Sequence, residues 1–479
     1  MSSLPRTIRT IPQARTAMPE QAPEVRVQNF FEVALGYGVE HALREADRCL
    51  DCKDPKCLKG CPVSVDIPGF LRKLSQQDFH GAYELLARTN VLPAICGRVC
   101  PVEHQCEAYC SVLARLEPVG IGRLERFVAD WERTHPRDGA APPATRREEK
   151  IAIVGSGPAG LTAASDLAQL GYQVTVFEAL HAIGGVLRYG IPEFRLPKAI
   201  VDEDVERLCA FGVAFETNVI IGKTVTIDEL LGELGYAAVF VGTGAGSPKF
   251  MNIPGENLKG VYSANEYLTR VNLMRAYSFP DYDTPVKHPT RAAVIGAGDT
   301  AMDAARVSIR LGAEEAHVVY RRTRAEMGAR AEDYQRAVEE GAIFDWLTLP
   351  KRFLGDDDGR VCGMECVRME LGEPDASGRP RPVPIEGSDF VLECNLAVIA
   401  LGTNPNPLVP QTTSGLETDT HGCVVTDPET GETSRKGVYA GGDIATGAAT
   451  VILAMGAGRR AAGAIHEYLE GEQSDHHRP

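Results

Sequence analysis

The six residues Gly155-Ser156-Gly157-Pro158-Ala159-Gly160 constrain this chain more than any other stretch. A short apolar run, Ile151 to Val154, leads into them, and a helical pattern from Leu161 to Leu170 leads out. Gly171 ends that pattern, and a second apolar strand runs from Gln173 to Phe177. Strand, glycine turn, helix and strand make a βαβ unit. In such a unit Gly155 permits the tight turn, Gly157 lets the backbone approach a pyrophosphate, and Gly160 packs helix on strand. The pyrophosphate sits at the helix N-terminus, where free N–H groups and the dipole favour negative charge. Pro158 and Ala159 complete the turn, and Glu178 closes the second strand, where a carboxylate accepts from ribose hydroxyls.

A second unit begins at Ala292. Its strand, Ala293 to Ile295, runs into Gly296-Ala297-Gly298-Asp299-Thr300-Ala301, then a helix to about Leu311 and a strand from His317 to Tyr320. The third turn position is Ala301, which the fingerprint allows. No carboxylate ends the following strand; the chain reads Tyr320-Arg321-Arg322-Thr323-Arg324. A carboxylate there would bond the 2′-OH of NAD and repel a 2′-phosphate, whereas Arg321 and Arg322 offer forked donors to one. The site is therefore expected to take NADP(H), the competing reading being a solvated cationic strand end. Near the C-terminus, Gly441-Gly442-Asp443 precedes a Gly/Ala-rich helical segment, Gly447 to Tyr468. Asp443 can bond a ribityl hydroxyl there, or serve as an ordinary helix cap.

Ahead of these units lie eight of the thirteen cysteines, all between Cys49 and Cys110. They read Cys49-x2-Cys52-x4-Cys57-x3-Cys61-Pro62, then Cys96-x3-Cys100-Pro101 and Cys106-x3-Cys110. Zinc favours paired C-x2-C knuckles, of which there is one. Iron–sulfur clusters use sets of four cysteines, and a Cys-Pro step is typical of ferredoxin-like runs. The spacing favours iron–sulfur over zinc, with free structural thiols as the third reading. The cysteines at 209, 362, 366, 394 and 423 are scattered and read as small buried hydrophobes. His104 reads as structural or solvent-facing, and His476-His477 as tail.

The 479 residues suit about three domains. A net charge of −15 argues against nucleic-acid binding. No apolar stretch approaches the roughly 18 residues of a membrane span, and the first 26 residues lack a secretory h-region, so a cytoplasmic protein with reduced thiols is expected. Asn29 to Arg48 and the stretch around Phe70 to Arg88 are expected to be helical. Thr134 to Glu149, rich in Pro, Ala and charge, is expected to be a linker.

Taken in order, RCLDCKDPKCLKGCPV (48–63), CGRVCPVEHQCEAYC (96–110), IGRLERF (121–127), IAIVGSGPAGL, GGVLRYGIPEFRLPK (184–198), AAVIGAGDTAMDAAR, VVYRR and VYAGGDIATGAATVILAMGAGR resemble the small subunit of NADPH-dependent glutamate synthase. Close relatives are the flavin subunit of NADH-dependent ferredoxin:NADP oxidoreductase and the N-terminal part of dihydropyrimidine dehydrogenase. The resemblance implies an α/β chain with an N-terminal helical iron–sulfur domain (1–145), a discontinuous Rossmann-like FAD domain (146–285 and 395–479) and a Rossmann-like NADPH domain (286–394). It implies FAD at the first turn, with Gly185, Arg188, Gly442 and Asp443 joining it, and NADPH at the second. It implies two [4Fe–4S] clusters with crossed ligation: Cys49, Cys52, Cys57 and Cys110 on one, Cys61, Cys100, Cys106 and Glu125 on the other, with Cys96 spare. Electrons would then pass to a partner, either a large glutamate synthase subunit or a small flavin/[2Fe–2S] subunit and ferredoxin. A zinc-stabilised nucleotide-binding scaffold is the alternative of another class. No glutaminase or barrel is visible, so the chain alone is not expected to make glutamate.

Overall fold

A computed structural model describes residues 7–136, 146–374 and 378–476. Most of the expected linker and His477 lie outside these residues. The N-terminal part is helical: α1 (Val39–Ala46), α2 (Ile67–Ser75), α3 (Phe79–Ala87), α4 (Pro93–Val99) and α5 (Ile121–Thr134). The helix expected from Asn29 starts ten residues later, because Gly36 turns the backbone to φ +83° ahead of it. The stretch around Phe70 to Arg88 is two helices. Gln77 at φ +60° breaks it, and Asp66 and Asp78 cap the pieces by accepting from Gly69 N and Gly81 N at 3.0 and 2.9 Å. Helices α4 and α5 cross closely, since a Cβ on Gly97 would stand 2.5 Å from Arg126 N.

The first βαβ unit is β1 (Lys150–Val154), α6 (Pro158–Gln169) and β2 (Gln173–Glu178). Helix α7 (Lys198–Ala210) leads to β3 (Ala214–Thr217), and β4 (Tyr236–Val241) follows. The chain then enters a second sheet through β5 (Val261–Ser263) and α8 (Ala264–Asn272). The second unit is β6 (Arg291–Ile295), α9 (Asp299–Arg310) and β7 (Glu315–Tyr320), followed by α10 (Ala331–Glu339) and β8 (Ile343–Trp346). An antiparallel arm, β9 (Thr348–Gly355), β10 (Val361–Pro374) and β11 (Pro380–Glu393), precedes β12 (Leu396–Ile399). Finally β13 (Val438–Ala440) and the long α11 (Val451–His476) return to the first unit.

Both sheets are parallel and five-stranded, ordered β13-β4-β1-β2-β3 and β5-β12-β6-β7-β8. Their central strands are near-continuous apolar runs because helices or further layers cover both faces, while the edge strands β3 and β8 are partly exposed. Strands β5 and β12 lie outside the expected 286–394 segment yet pair in the second sheet. The chain crosses between the sheets near Ser247–Pro248 and Thr403–Asn404, which pair antiparallel. The first unit is discontinuous, since β13 pairs with β4 in register Val438 to Val239.

Candidate functional site

Cys49, Cys52, Cys57 and Cys110 line one cavity with Leu50, Pro55 and Ile67. Two short 3-10 turns, Lys56–Gly60 and Cys106–Tyr109, bring the ends of the two cysteine sets together. Burial pushes the Cys57 thiol up to about 12, helped by the neighbouring Cys49, Cys110 and Cys52. Burial likewise raises Cys49 to about 11. A second group forms deeper. Burial raises Cys61 to about 11, with Glu125 and Cys100 as charge neighbours. Cys106, buried, has Glu125, Cys100 and Cys61 around it. The Glu125 carboxyl, only 8% exposed, is pushed up to about 8 by burial despite a hydrogen bond from Asn90 Nδ2 at 2.5 Å. Four crowded, desolvated donors of negative charge suit a cationic core. Among the described residues, no three Cys, His, Asp or Glu side chains stand close enough to hold a single metal ion. Cys96 is buried against the second group; its Sγ donates to Asn90 Oδ1 at 3.6 Å and lies 3.5 Å from Met455 Sδ on α11.

The first glycine turn is a cradle. Gly155 has φ +100°, and a Cβ there would meet Gly242 O at 2.5 Å. A Cβ on Gly160 would stand 2.0 Å from Gly155 O, whereas one on Gly157 meets nothing within 4 Å. The space above Gly157, at the N-cap of α6, is where a pyrophosphate fits. Pro158 is the first residue of α6, and Ala159 is buried beneath α11, where a Cβ on Gly458 would meet its carbonyl at 2.2 Å. Glu178, buried at the end of β2, accepts from Ser156 N at 3.1 Å, Ser156 Oγ at 2.5 Å and Leu180 N at 2.9 Å. Gly185 has φ +52° and rests on Gly157; a Cβ there would stand 2.9 Å from Gly157 Cα. Arg188 turns back on Ile183 O at 2.7 Å and pairs with Asp202. Gly442, at φ +75°, packs on Ala159, and Asp443 accepts from Ala449 N at 3.1 Å. Burial raises the Asp443 carboxyl. Tyr189, pushed up to about 12 by burial and by Asp443 and Glu178, marks the same hollow.

The second turn repeats this plan with different braces. Gly296 has φ +131°, and a Cβ there would stand 2.4 Å from Ala400 O, while Gly298 at the N-cap of α9 is open. Ala301 is fully buried and Thr300 is exposed. Asp299 Oδ1 accepts from Arg330 N at 2.8 Å, and Ala297 O accepts from Gly328 N and Ala329 N at 3.2 and 3.1 Å. Ladder register pairs Ile295 with Val319 and Val154 with Phe177. Tyr320 therefore occupies the place of Glu178, and Arg321 follows one residue on. The arginines divide: Arg321 is exposed, while Arg322 is buried with its Nε donating to Pro380 O at 3.0 Å beneath the arm.

The two halves are locked together. Arg195, from the 184–198 segment, pairs with Asp303 at 2.5 Å on α9, and Arg310 stacks over Phe194 at 3.9 Å. Arg330 reaches Arg98 O at 3.0 Å, two residues before Cys100. Asn90, Ser156 and Arg330 are site neighbours that spacing alone does not reveal. Ser156, a hydroxyl between two turn glycines with a carboxylate closing the next strand, carried a signal.

Residues 26–137 match the family described as dihydropyrimidine dehydrogenase domain II, 4Fe-4S cluster, and residues 149–458 match pyridine nucleotide-disulphide oxidoreductase. The glutamate synthase [NADPH] small chain of Azospirillum brasilense is 36% identical over 473 residues, covering 95% of each chain. This chain belongs to that small-chain family. It is an oxidoreductase with a 4Fe-4S domain followed by a FAD/NADPH-binding domain. The NADP(+)-dependent formate dehydrogenase subunit beta of Moorella thermoacetica is 38% identical over 86% of this chain, which spans 60% of that relative's length. The fold is also that of Mycobacterium tuberculosis FprA in complex with NADPH, with TM-score 0.58 at 22% identity over 70% of this chain and 87% of that one. Family membership sets the zinc scaffold aside. Among the described residues, no helix is long and apolar enough to cross a membrane.

Proposed function

We propose that this family member passes NADPH electrons, through FAD held at the first turn and two [4Fe–4S] clusters, to a large glutamate synthase subunit in the cytoplasm. FAD supplies the change from hydride to single electrons, and the clusters carry those electrons onward. The residues supply placement. Gly157 and Gly298 leave the N-termini of α6 and α9 open to the two pyrophosphates. Glu178 fixes the first turn, with a lone pair left for a ribose hydroxyl, and Arg321 is the exposed cation for a 2′-phosphate. Gly185, Arg188, Gly442 and Asp443 frame the flavin. The second unit's limits, on this reading, are the Ser247–Pro248 and Thr403–Asn404 crossings rather than 286 and 394.

One observation carries the route. A Cβ on Gly456 of α11 would meet Pro62 O at 3.0 Å, and Met455 touches Cys96. The helix that follows the flavin-facing Gly442–Asp443 thus backs directly on the Cys61 group, which is the proximal cluster in this reading. The Cys49 group is distal: its cysteines are partly exposed beside Tyr109 and Leu113, which are 50% and 47% exposed. That rim suits a redox partner. The 38% identical Moorella subunit favours a second reading, in which the partner is another dehydrogenase rather than a synthase.

Anaerobic NADPH should bleach the flavin of the purified chain and bring up two cluster signals by electron paramagnetic resonance (EPR). The chain alone should make no glutamate from glutamine and 2-oxoglutarate. Glutamate production without an added subunit, or reduction that stops at the flavin, would refute this reading. Affinity purification from the native host decides among a glutaminase-bearing partner, a dehydrogenase subunit and a small flavin/[2Fe–2S] subunit.

A further inference from the structure

Asn90 lies between α3 and α4, is wholly buried, and its side-chain amide bonds through both its nitrogen and its oxygen around one cluster site. Its Nδ2 donates to Glu125 Oε1 at 2.5 Å, and its Oδ1 accepts from Leu92 N at 3.0 Å and from Cys96 Sγ at 3.6 Å. The amide orientation is fixed by chemistry. A backbone N–H can only donate, so the oxygen must face Leu92 and the NH2 must face Glu125. Around Cys61, Cys100 and Cys106 two further donors compete: Glu125 on α5, and Cys96 on α4, whose carbonyl accepts from the N–H of Cys100, the C-cap of that helix, at 3.0 Å. A thiolate is the usual cluster ligand. Something must sort the carboxylate from the thiol, and Asn90 touches both.

We propose that Asn90 is the positioning residue of the proximal cluster: its N–H presents the Glu125 carboxylate as fourth ligand, and its carbonyl holds the Cys96 thiol outside the ligand set. The inference rests on the reading of Glu125 as a ligand. Groups that orient and bond a ligand tune its metal much as the ligand does. Losing Asn90 should therefore change the proximal cluster's potential while leaving the distal cluster, NADPH binding and flavin content as they were.

The test uses full-length chain purified anaerobically with its cofactors, and EPR-monitored redox titration of each cluster. Asn90→Leu removes both hydrogen-bonding roles. Asn90→Asp keeps the acceptor for Leu92 N, loses the donor to Glu125 and sets a second carboxyl beside it, which adds like-charge repulsion to the lost bond, so it serves should the leucine variant fail to fold. Either variant should shift the proximal midpoint by at least a tenfold change in the reduced-to-oxidised ratio, about 59 mV for one electron, with an altered proximal EPR line shape. Cys96→Ala alone should leave both unchanged. In the Cys96→Ala background, Asn90→Leu should lose proximal-cluster iron, because no spare thiol remains. If Glu125→Ala shifts the proximal cluster and neither Asn90 variant does, Asn90 has no such role and the ligand reading stands. If Glu125→Ala also leaves potential and line shape at the wild-type values, the ligand reading itself falls and takes this inference with it.

Discussion

The two glycine turns share a backbone plan and differ in what holds them. In the first, the bracing closes on itself: Glu178 bonds Ser156 twice, and Ser156 Oγ in turn accepts from Gly184 N at 2.9 Å. Strand end, turn and flavin-side loop form one buried knot. The second turn has Ala297 where the first has Ser156 and Tyr320 where it has Glu178. It leans instead on a separate segment, Gly328 to Arg330, through backbone bonds to Ala297 and Asp299. A self-braced cradle suits a cofactor that stays. A cradle braced by a neighbouring loop suits a dinucleotide that comes and goes, because the loop can yield without undoing the strand end.

The sharpest way to break this comparison is the third turn position. Gly160→Ala would drive a methyl to 2.0 Å from Gly155 O, against backbone with nowhere to go. Overpacking of this kind costs about 1–3 kcal/mol or more, and here it falls on the pyrophosphate turn. Near-complete loss of bound FAD is expected, read as the ratio of flavin to protein absorbance. The second turn already carries Ala301 at this place, so α9 must stand farther from its turn. Ala301→Gly should leave FAD content at the wild-type level and change NADPH affinity little. Full flavin occupancy in Gly160→Ala would remove the tight first cradle from the argument.

The second test concerns which arginine reads the 2′-phosphate. The VVYRR segment showed that arginines replace a carboxylate. It could not show that Arg322 turns under an antiparallel arm, because β9 to β11 come later in the chain and leave no mark on that segment. Strand ends were legible for a similar reason: apolar runs of four or five residues next to glycines have few alternatives. The cysteine grouping was not legible from spacing, since Cys61 joins Cys100 and Cys106 only after α2, α3 and α4 fold back between them. Arg321→Ala should lose one charge-assisted contact of about 1.5–3 kcal/mol, raising the KM for NADPH roughly tenfold to a hundredfold and leaving that for NADH unchanged. Arg322→Ala should lower thermal stability through loss of its bond to Pro380 O, with the NADPH to NADH preference kept. A reversed pattern would make Arg322 the phosphate reader.

Ser156→Ala gives the smallest effect and the finest reading, because it rebuilds the first turn with the residue that the second turn uses. The Oγ bonds to Glu178 and from Gly184 N go, while Glu178 keeps Ser156 N and Leu180 N. The two lost bonds are worth about 1 kcal/mol net each, but they brace the turn rather than touch FAD; with about half of that reaching the cofactor, FAD affinity should fall about fivefold, measurable by flavin fluorescence on dilution. The flavin should also exchange faster with added FAD, as the looser second cradle would. Ala297→Ser, the converse change, has no carboxylate waiting at Tyr320 and should not tighten NADPH. If Ser156→Ala holds FAD as firmly as the wild type, the knot around Glu178 is not what separates a resident cofactor from an exchanging one, and the difference must lie in the cover provided by Gly185 and Gly442.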